Sequence, residues 1–175
     1  ILSITDSSGR VLSSSDPLPV QVMKPETAYI VTNLLKGVIE RGTGWKAREL
    51  GRPVAGKTGT TNDYRDAWFI GYTPSLVAGV WVGFDDQRSL GHKATGSRAA
   101  LPVWLDFMKH AHQNQDPIDF SIPNGILFRN VDPHTGLLST EQCRQSLREA
   151  FLPGTEPRKF CEEKVPVDEQ ISTPD

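Results

Sequence analysis

The chain has 175 residues, with 19 Lys and Arg against 21 Asp and Glu, a formal charge of −2 and two cysteines. This balance leaves no basic footprint for nucleic acid or an anionic membrane. No apolar run approaches the roughly 18 residues of a spanning helix, and two cysteines do not make a disulfide-rich scaffold.

Ile1 to Leu12 reads as a hairpin: Leu2 and Ile4 alternate with polar residues, Asp6-Ser7-Ser8-Gly9 is turn chemistry, and Val11-Leu12 resume. Ser13 to Pro19 is a Ser/Pro connector. A helix follows, with Pro25 in its first turn and Ala28, Val31, Leu34, Leu35, Val38 and Ile39 as an apolar stripe; Gly42 and Gly44 stop it. Three strand candidates come next. Pro53 to Thr60 contains a proline and two glycines, which place it at an edge. Asp66 to Tyr72 is the second and Leu76 to Phe84 the third. Thr61-Asn62-Asp63 and Thr73-Pro74-Ser75 are the turns between them, so the three form an antiparallel meander. A polar loop, Asp85 to Ser97, leads to a second helix whose core face is Leu101, Trp104, Leu105 and Met108.

Composition shifts after Gln115. The last 60 residues hold seven prolines and one hairpin candidate, Ile126 to Leu138 around Asp132-Pro133-His134-Thr135-Gly136. The expected organisation is a main unit over 1–115, a small appended hairpin and loop module over 116–164, and a disordered tail over 165–175. Trp68, Trp81 and Trp104 are expected in the core; a cleft rim is the lesser of the readings open to Trp45, in its Gly-rich loop.

Two motifs share one lysine. Gly51-Arg52-Pro53-Val54-Ala55-Gly56-Lys57-Thr58 fits G-x-x-x-x-G-K-S/T in full, and Leu76 to Asp85 mimics the apolar strand and Asp that hold magnesium in nucleotide-binding enzymes. A phosphate loop must follow a buried strand and open a helix, because the helix N-terminus supplies the amides. Lys46-Ala47-Arg48-Glu49-Leu50 is too polar for that strand, and Gly59-Thr60-Thr61-Asn62-Asp63 is a poor helix start. The competing reading is Lys57-Thr58-Gly59-Thr60 on an edge strand. Such an edge can add an extended peptide as a further strand. Gly59 permits close approach. Thr58 and Thr60 share one side of the strand, where their hydroxyls suit a substrate carboxylate. Lys57 supplies positive charge for it or biases a hydroxyl toward proton transfer. The Thr60 N–H suits an oxyanion.

Lys-Thr-Gly is an element of the penicillin-recognising serine enzymes. The stretch GKTGTTNDYRDAWFIG, continued by YTPSLVAGVWVGFDD, resembles the strand meander of class A penicillin-binding proteins. The upstream RGTG and the downstream GSRAALPVWLDFM resemble that family too. The resemblance covers about Ile1 to Pro157. It implies an α+β fold: the C-terminal portion of a serine D,D-peptidase/β-lactamase-like transpeptidase, with an antiparallel meander packed by helices and a Pro-rich tail module. It implies Lys57 and Thr60 as catalytic residues and Thr58, Gly59, Thr60 and Thr61 as substrate-binding residues. It also implies peptidoglycan stem peptides and β-lactams as partners, no cofactor, and a place at the periplasmic face of the bacterial cell envelope.

The family works through three elements: S-x-x-K with the nucleophile, S-x-N, and K-T-G. No lysine here has a serine three residues before it, and no asparagine has one two residues before it. Thr43-Gly44-Trp45-Lys46 is the nearest approach and reads as accidental. The expectation is therefore a C-terminal piece of a longer enzyme, inactive alone. The missing elements would come from an upstream segment or a complementing chain, and a homo-oligomer formed by exchanging parts is a further option for the apolar faces left without partners.

The other polar residues carry less. Asn62 and Asp63 read as turn formers, and Asp66, Asp85 and Asp86 as strand-end charges. His110 and His112 lie on different faces of one helix, so no metal pair forms. Cys143 and Cys161, 18 residues apart, are compatible with a disulfide and with two free thiols. A non-catalytic binding module on the same scaffold is the alternative from another class. A P-loop nucleotidase is less favoured, and a serine β-lactamase is disfavoured by the long tail.

Overall fold

The structure is a computed structural model that describes residues 3–15, 20–141 and 143–161. Leu2, part of the Ser/Pro connector and the 165–175 tail lie outside these residues.

A short hairpin opens the chain. Its strands are β1 (Ser3–Thr5) and β2 (Val11–Ser14). Asp6 organises the turn: its Oδ1 accepts from the Ser8 hydroxyl at 2.6 Å and from the N–H groups of Ser8 and Arg10 at 2.9 and 3.0 Å. These donors, the Ser8 hydroxyl foremost, hold its carboxyl below the ordinary value.

Helix α1 (Pro25–Glu40) starts on the expected proline. Its stripe closes on Ile39, which is buried in the main core. A 3-10 helix, Trp45–Leu50, follows and buries Ala47. The meander then forms β3 (Ala55–Thr60), β4 (Asp66–Tyr72) and β5 (Val77–Gly83), ordered β3-β4-β5 with every pair antiparallel.

The sheet is one-sided. Ala67 and Phe69 are buried, with Ala78, Val80 and Val82 packed against the same core. The alternate residues face outward, including Trp68 at 42% and Trp81 at 44% exposure. This corrects the expectation that both tryptophans lie in the core. Strand period puts them on the opposite face from Phe69, and among the described residues only the Phe69 face is covered.

What covers it is helix α2 (Leu101–Ala111), entered through a π-helical turn at Gly96–Ala100. Leu101, Trp104, Leu105 and Met108 are the buried face, as their spacing predicts. Trp104 meets Phe69 edge-on with centroids 4.9 Å apart, and its indole N–H donates to the carbonyl oxygens of Ala78 at 3.1 Å and Gly71 at 3.3 Å. A Cβ at Gly71 would lie 2.8 Å from Trp104 Cζ2, so this strand position must be glycine for the indole to seat. At the end of α2, His112 is buried and its Nε2 lies 3.0 Å from the Thr73 hydroxyl.

The region after Gln115 holds β6 (Leu127–Val131) and β7 (Leu147–Phe151), an antiparallel pair. The turn at Asp132–Gly136 forms, with Gly136 N–H donating to the Asp132 carbonyl at 2.8 Å. Leu138 makes only a single bridge back to Val131, however, and the main partner of β6 comes from residues 147–151. The expected hairpin over 126–138 is corrected accordingly. Cys143 and Cys161 are bridged, with Cα atoms 6.5 Å apart. The module sits on α1: Tyr29 and Phe128 meet edge-on at 6.3 Å, and the Glu149 carboxylate accepts from Asn33 at 2.9 Å and Arg41 at 2.8 Å.

Candidate substrate strand

Strand β3 carries the Lys57-Thr58-Gly59-Thr60 motif at an edge of its sheet among the described residues. Its backbone polarity follows from one bond. The Thr61 N–H donates to the Asp66 carbonyl at 3.1 Å, toward β4. In an antiparallel strand the N–H and C=O of one residue point to the same side, and successive residues alternate. Thr58 and Thr60 therefore direct both backbone groups away from β4, toward the open edge. This is what adding a peptide as a new strand requires.

The side chains follow the other periodicity. Thr58 and Thr60 share a face, and Lys57 and Gly59 share the opposite one. The Lys57 ammonium donates to the Thr58 carbonyl at 2.7 Å. That uses one of its three hydrogens, and it pairs with no carboxylate among the described residues. Thr60 Oγ1 accepts from the Gly96 N–H at 3.0 Å, which leaves its own hydrogen to donate. Gly96 is buried, and a Cβ there would fall on the Trp68 carbonyl oxygen and within 2.6 Å of the Gly59 carbonyl oxygen. Glycine alone lets the turn into α2 approach the strand this closely.

Thr61 is placed differently. Its hydroxyl donates to Asp66 Oδ2 at 3.1 Å and accepts from the Asp66 N–H at 2.8 Å, while the Trp81 indole donates to Asp66 Oδ1 at 2.9 Å. Its hydroxyl is thus closed into the turn. Asn62–Tyr64 forms a single 3-10 turn in which Asp63 and Tyr64 take positive φ of 60° and 54°. Asp63 belongs to the turn, as its residue type suggests.

The structure adds a residue that sequence reasoning set aside. Thr43, in the loop after α1, has its hydroxyl 2.8 Å from that of Thr58. The sequence signal was the RGTG stretch, which reads as a helix stop. Trp45 nearby is half exposed, with the Lys46 and Arg48 side chains each 5.9 Å from its ring centroid. The alternative nucleotide motif does not assemble. Gly51 follows a 3-10 helix, and Lys57 and Thr58 lie within a strand, so no helix N-terminus presents amides to a phosphate.

An open-edged strand with a lysine and hydroxyls, backed by an antiparallel sheet and a covering helix, is a scaffold that can add an extended peptide. The chain belongs to the penicillin-binding protein transpeptidase family: residues 3–109 match the model of the penicillin binding protein transpeptidase domain. Residues 122–166 match that of the penicillin-binding protein 1A C-terminal domain. The chain is 43% identical to penicillin-binding protein 1A of Aquifex aeolicus over 92% of its own length and 22% of the relative's. It is 44% identical to the Pseudomonas aeruginosa protein of that name over 69% of its length and 15% of the relative's. The crystal structure of penicillin-binding protein 1A from Haemophilus influenzae superposes with a TM-score of 0.75 at 30% identity, covering 93% of this chain and 30% of that one. The chain thus spans about a fifth of the length of these curated relatives.

Proposed function

We propose that this chain supplies the substrate strand of a peptidoglycan D,D-transpeptidase that cross-links stem peptides through a serine acyl-enzyme. The observation that carries this reading is the open edge of β3, where Thr58 and Thr60 turn their backbone groups away from β4. A D-Ala-D-Ala stem peptide lies along that edge as an added strand. The hydroxyls of Thr58 and Thr60 donate to its terminal carboxylate, and Lys57 supplies the positive charge. Gly59 keeps the strand surface flat, and the Thr60 N–H stabilises the oxyanion of the tetrahedral intermediate. Thr61 contributes by closing the turn that ends the strand. Covalent catalysis then divides the acyl transfer into two steps, with D-Ala leaving first and a neighbouring stem's amine accepting the acyl group second. β-Lactams occupy the same strand. The enzyme this chain belongs to works at the outer face of the bacterial cytoplasmic membrane, a reading supported by the likeness to penicillin-binding protein 1A.

The serine that attacks is not in this chain, since neither S-x-x-K nor S-x-N occurs in its sequence. The nucleophile comes from an upstream segment or a complementing chain. Fluorescent penicillin tests both halves of the proposal. The isolated chain forms no adduct that survives denaturation, whereas the full-length protein does, and Lys57→Ala in the full-length protein sharply slows its formation. A stable adduct on the isolated chain would sink the claim of inactivity. Unaltered labelling of the Lys57→Ala protein would sink the role given to β3.

A further inference from the structure

We infer that Thr43 is a positioning residue for substrate recognition, acting through Thr58. The inference rests on the reading above, in which the Thr58 hydroxyl meets the substrate carboxylate. A carboxylate only accepts hydrogen bonds, so the Thr58 hydrogen must point at it. A threonine hydroxyl rotates, and on an exposed strand it has no reason to hold that direction by itself. Thr43 Oγ1 lies 2.8 Å from Thr58 Oγ1. If Thr43 donates across this contact, Thr58 acts as acceptor toward Thr43 and its hydrogen turns outward to the substrate. Each bond in such a chain also strengthens the next.

Thr43 is held well enough to serve. The N–H groups of its neighbours Gly42 and Gly44 both donate to the Val38 carbonyl at 3.1 Å, which pins the loop on either side of it to the last turn of α1. The helix end is anchored in turn by Arg41, whose guanidinium reaches Glu149 of the appended module at 2.8 Å. Thr43 itself is exposed, so its hydroxyl is not spent on the core. Its position three residues before Lys46 is incidental to this role.

The test uses full-length protein and fluorescent penicillin, with adduct formation followed at several penicillin concentrations to separate apparent affinity from the limiting acylation rate. Thr43→Val keeps the shape and removes the hydroxyl. It is expected to weaken apparent affinity by about fivefold, the size of one neutral hydrogen bond, while leaving the limiting rate and the melting temperature near wild type. Thr43→Ser restores affinity. Thr58→Val weakens affinity at least as much, and adding Thr43→Val to it costs nothing further, because the two act as one unit. Wild-type affinity in Thr43→Val beside an impaired Thr58→Val overturns this inference alone. Additive losses in the double variant overturn it as well. A Thr58→Val protein with unchanged affinity overturns both this inference and the role of Thr58 on which it rests.

Discussion

Thr60 and Gly96 show how a local choice of residue builds the candidate site. The strand hydroxyl is fixed by an N–H from 36 positions away, and that N–H reaches it only because Gly96 has no side chain. Gly96→Ala must push the turn into α2 away from the Gly59 and Trp68 backbones. Overpacking of this kind costs about 1–3 kcal/mol, and here it also frees Thr60. Urea denaturation should show that loss, and penicillin labelling of the full-length protein should slow with it. Stability equal to wild type would mean the turn relaxes without strain. A second residue-scale case is Asp132, whose carboxylate accepts the Thr135 hydroxyl at 2.7 Å. That hydroxyl is the foremost cause holding Asp132 below its ordinary value. A depressed folded value means the stabilisation is present above the unfolded carboxylate range and disappears as pH falls through the folded one. Thr135→Val should therefore raise the Asp132 midpoint in an NMR titration and lower the melting temperature at neutral pH, with the difference closing in strong acid; an unmoved midpoint would reject the assignment. The placement of Lys57, Thr58 and Thr60 on one edge strand was legible from the motif and the two-residue period. Thr43 was not, because a hydroxyl pair 15 residues apart leaves no pattern in sequence.

The elements that could be read from sequence are those whose burial is internal to a single segment. Helices α1 and α2 carry 3.6-spaced stripes bounded by proline and glycine, and β4 sits on the residues expected for it. The appended module was harder because its order is non-local. Its strands β6 and β7 are separated by 15 residues of turns, and its closure runs through Leu138, whose N–H donates to the Lys159 carbonyl at 2.8 Å and whose carbonyl accepts from Cys161 N–H at 2.9 Å. The nearer turn at Asp132–Gly136 misled the reading toward a simple hairpin. A module with so few buried apolar residues depends on its crosslink. Opening the Cys143–Cys161 bridge frees a loop of 18 residues in the unfolded chain, a change worth about 3 kcal/mol for loops of this size. With Cys143→Ser, amide exchange at Leu138 and Cys161 should accelerate steeply, while exchange in β4 and α2 stays slow. Equal acceleration in both regions would show that the module and the main core unfold as one unit.

At the scale of the whole molecule, the governing fact is a three-stranded sheet with one face covered among the described residues. The open face carries Trp68, Ile70, Val77 and Trp81, at 42%, 49%, 66% and 44% exposure. Trp68 and Trp81 lean together with centroids 6.3 Å apart. The sequence from Leu76 to Phe84 is a nearly continuous apolar run, which is the pattern of a strand buried on both faces. A contiguous apolar face of this kind promotes association. The isolated chain should therefore bind a hydrophobic dye and sediment as larger species with rising concentration. Acrylamide should quench its tryptophan emission readily through Trp45, Trp68 and Trp81, since only Trp104 is sealed in the core. In the full-length protein the Trp68 and Trp81 indoles are expected to lie against preceding residues, so the quenching constant should fall and the emission maximum move to shorter wavelength. Replacing Val77, the most exposed of the four, by Lys should suppress association of the isolated chain without lowering its melting temperature, because the Val77 side chain has little packing to lose. If the indoles of the isolated chain at low concentration are already shielded from acrylamide, the face is covered within a single copy and the one-sided sheet is wrong.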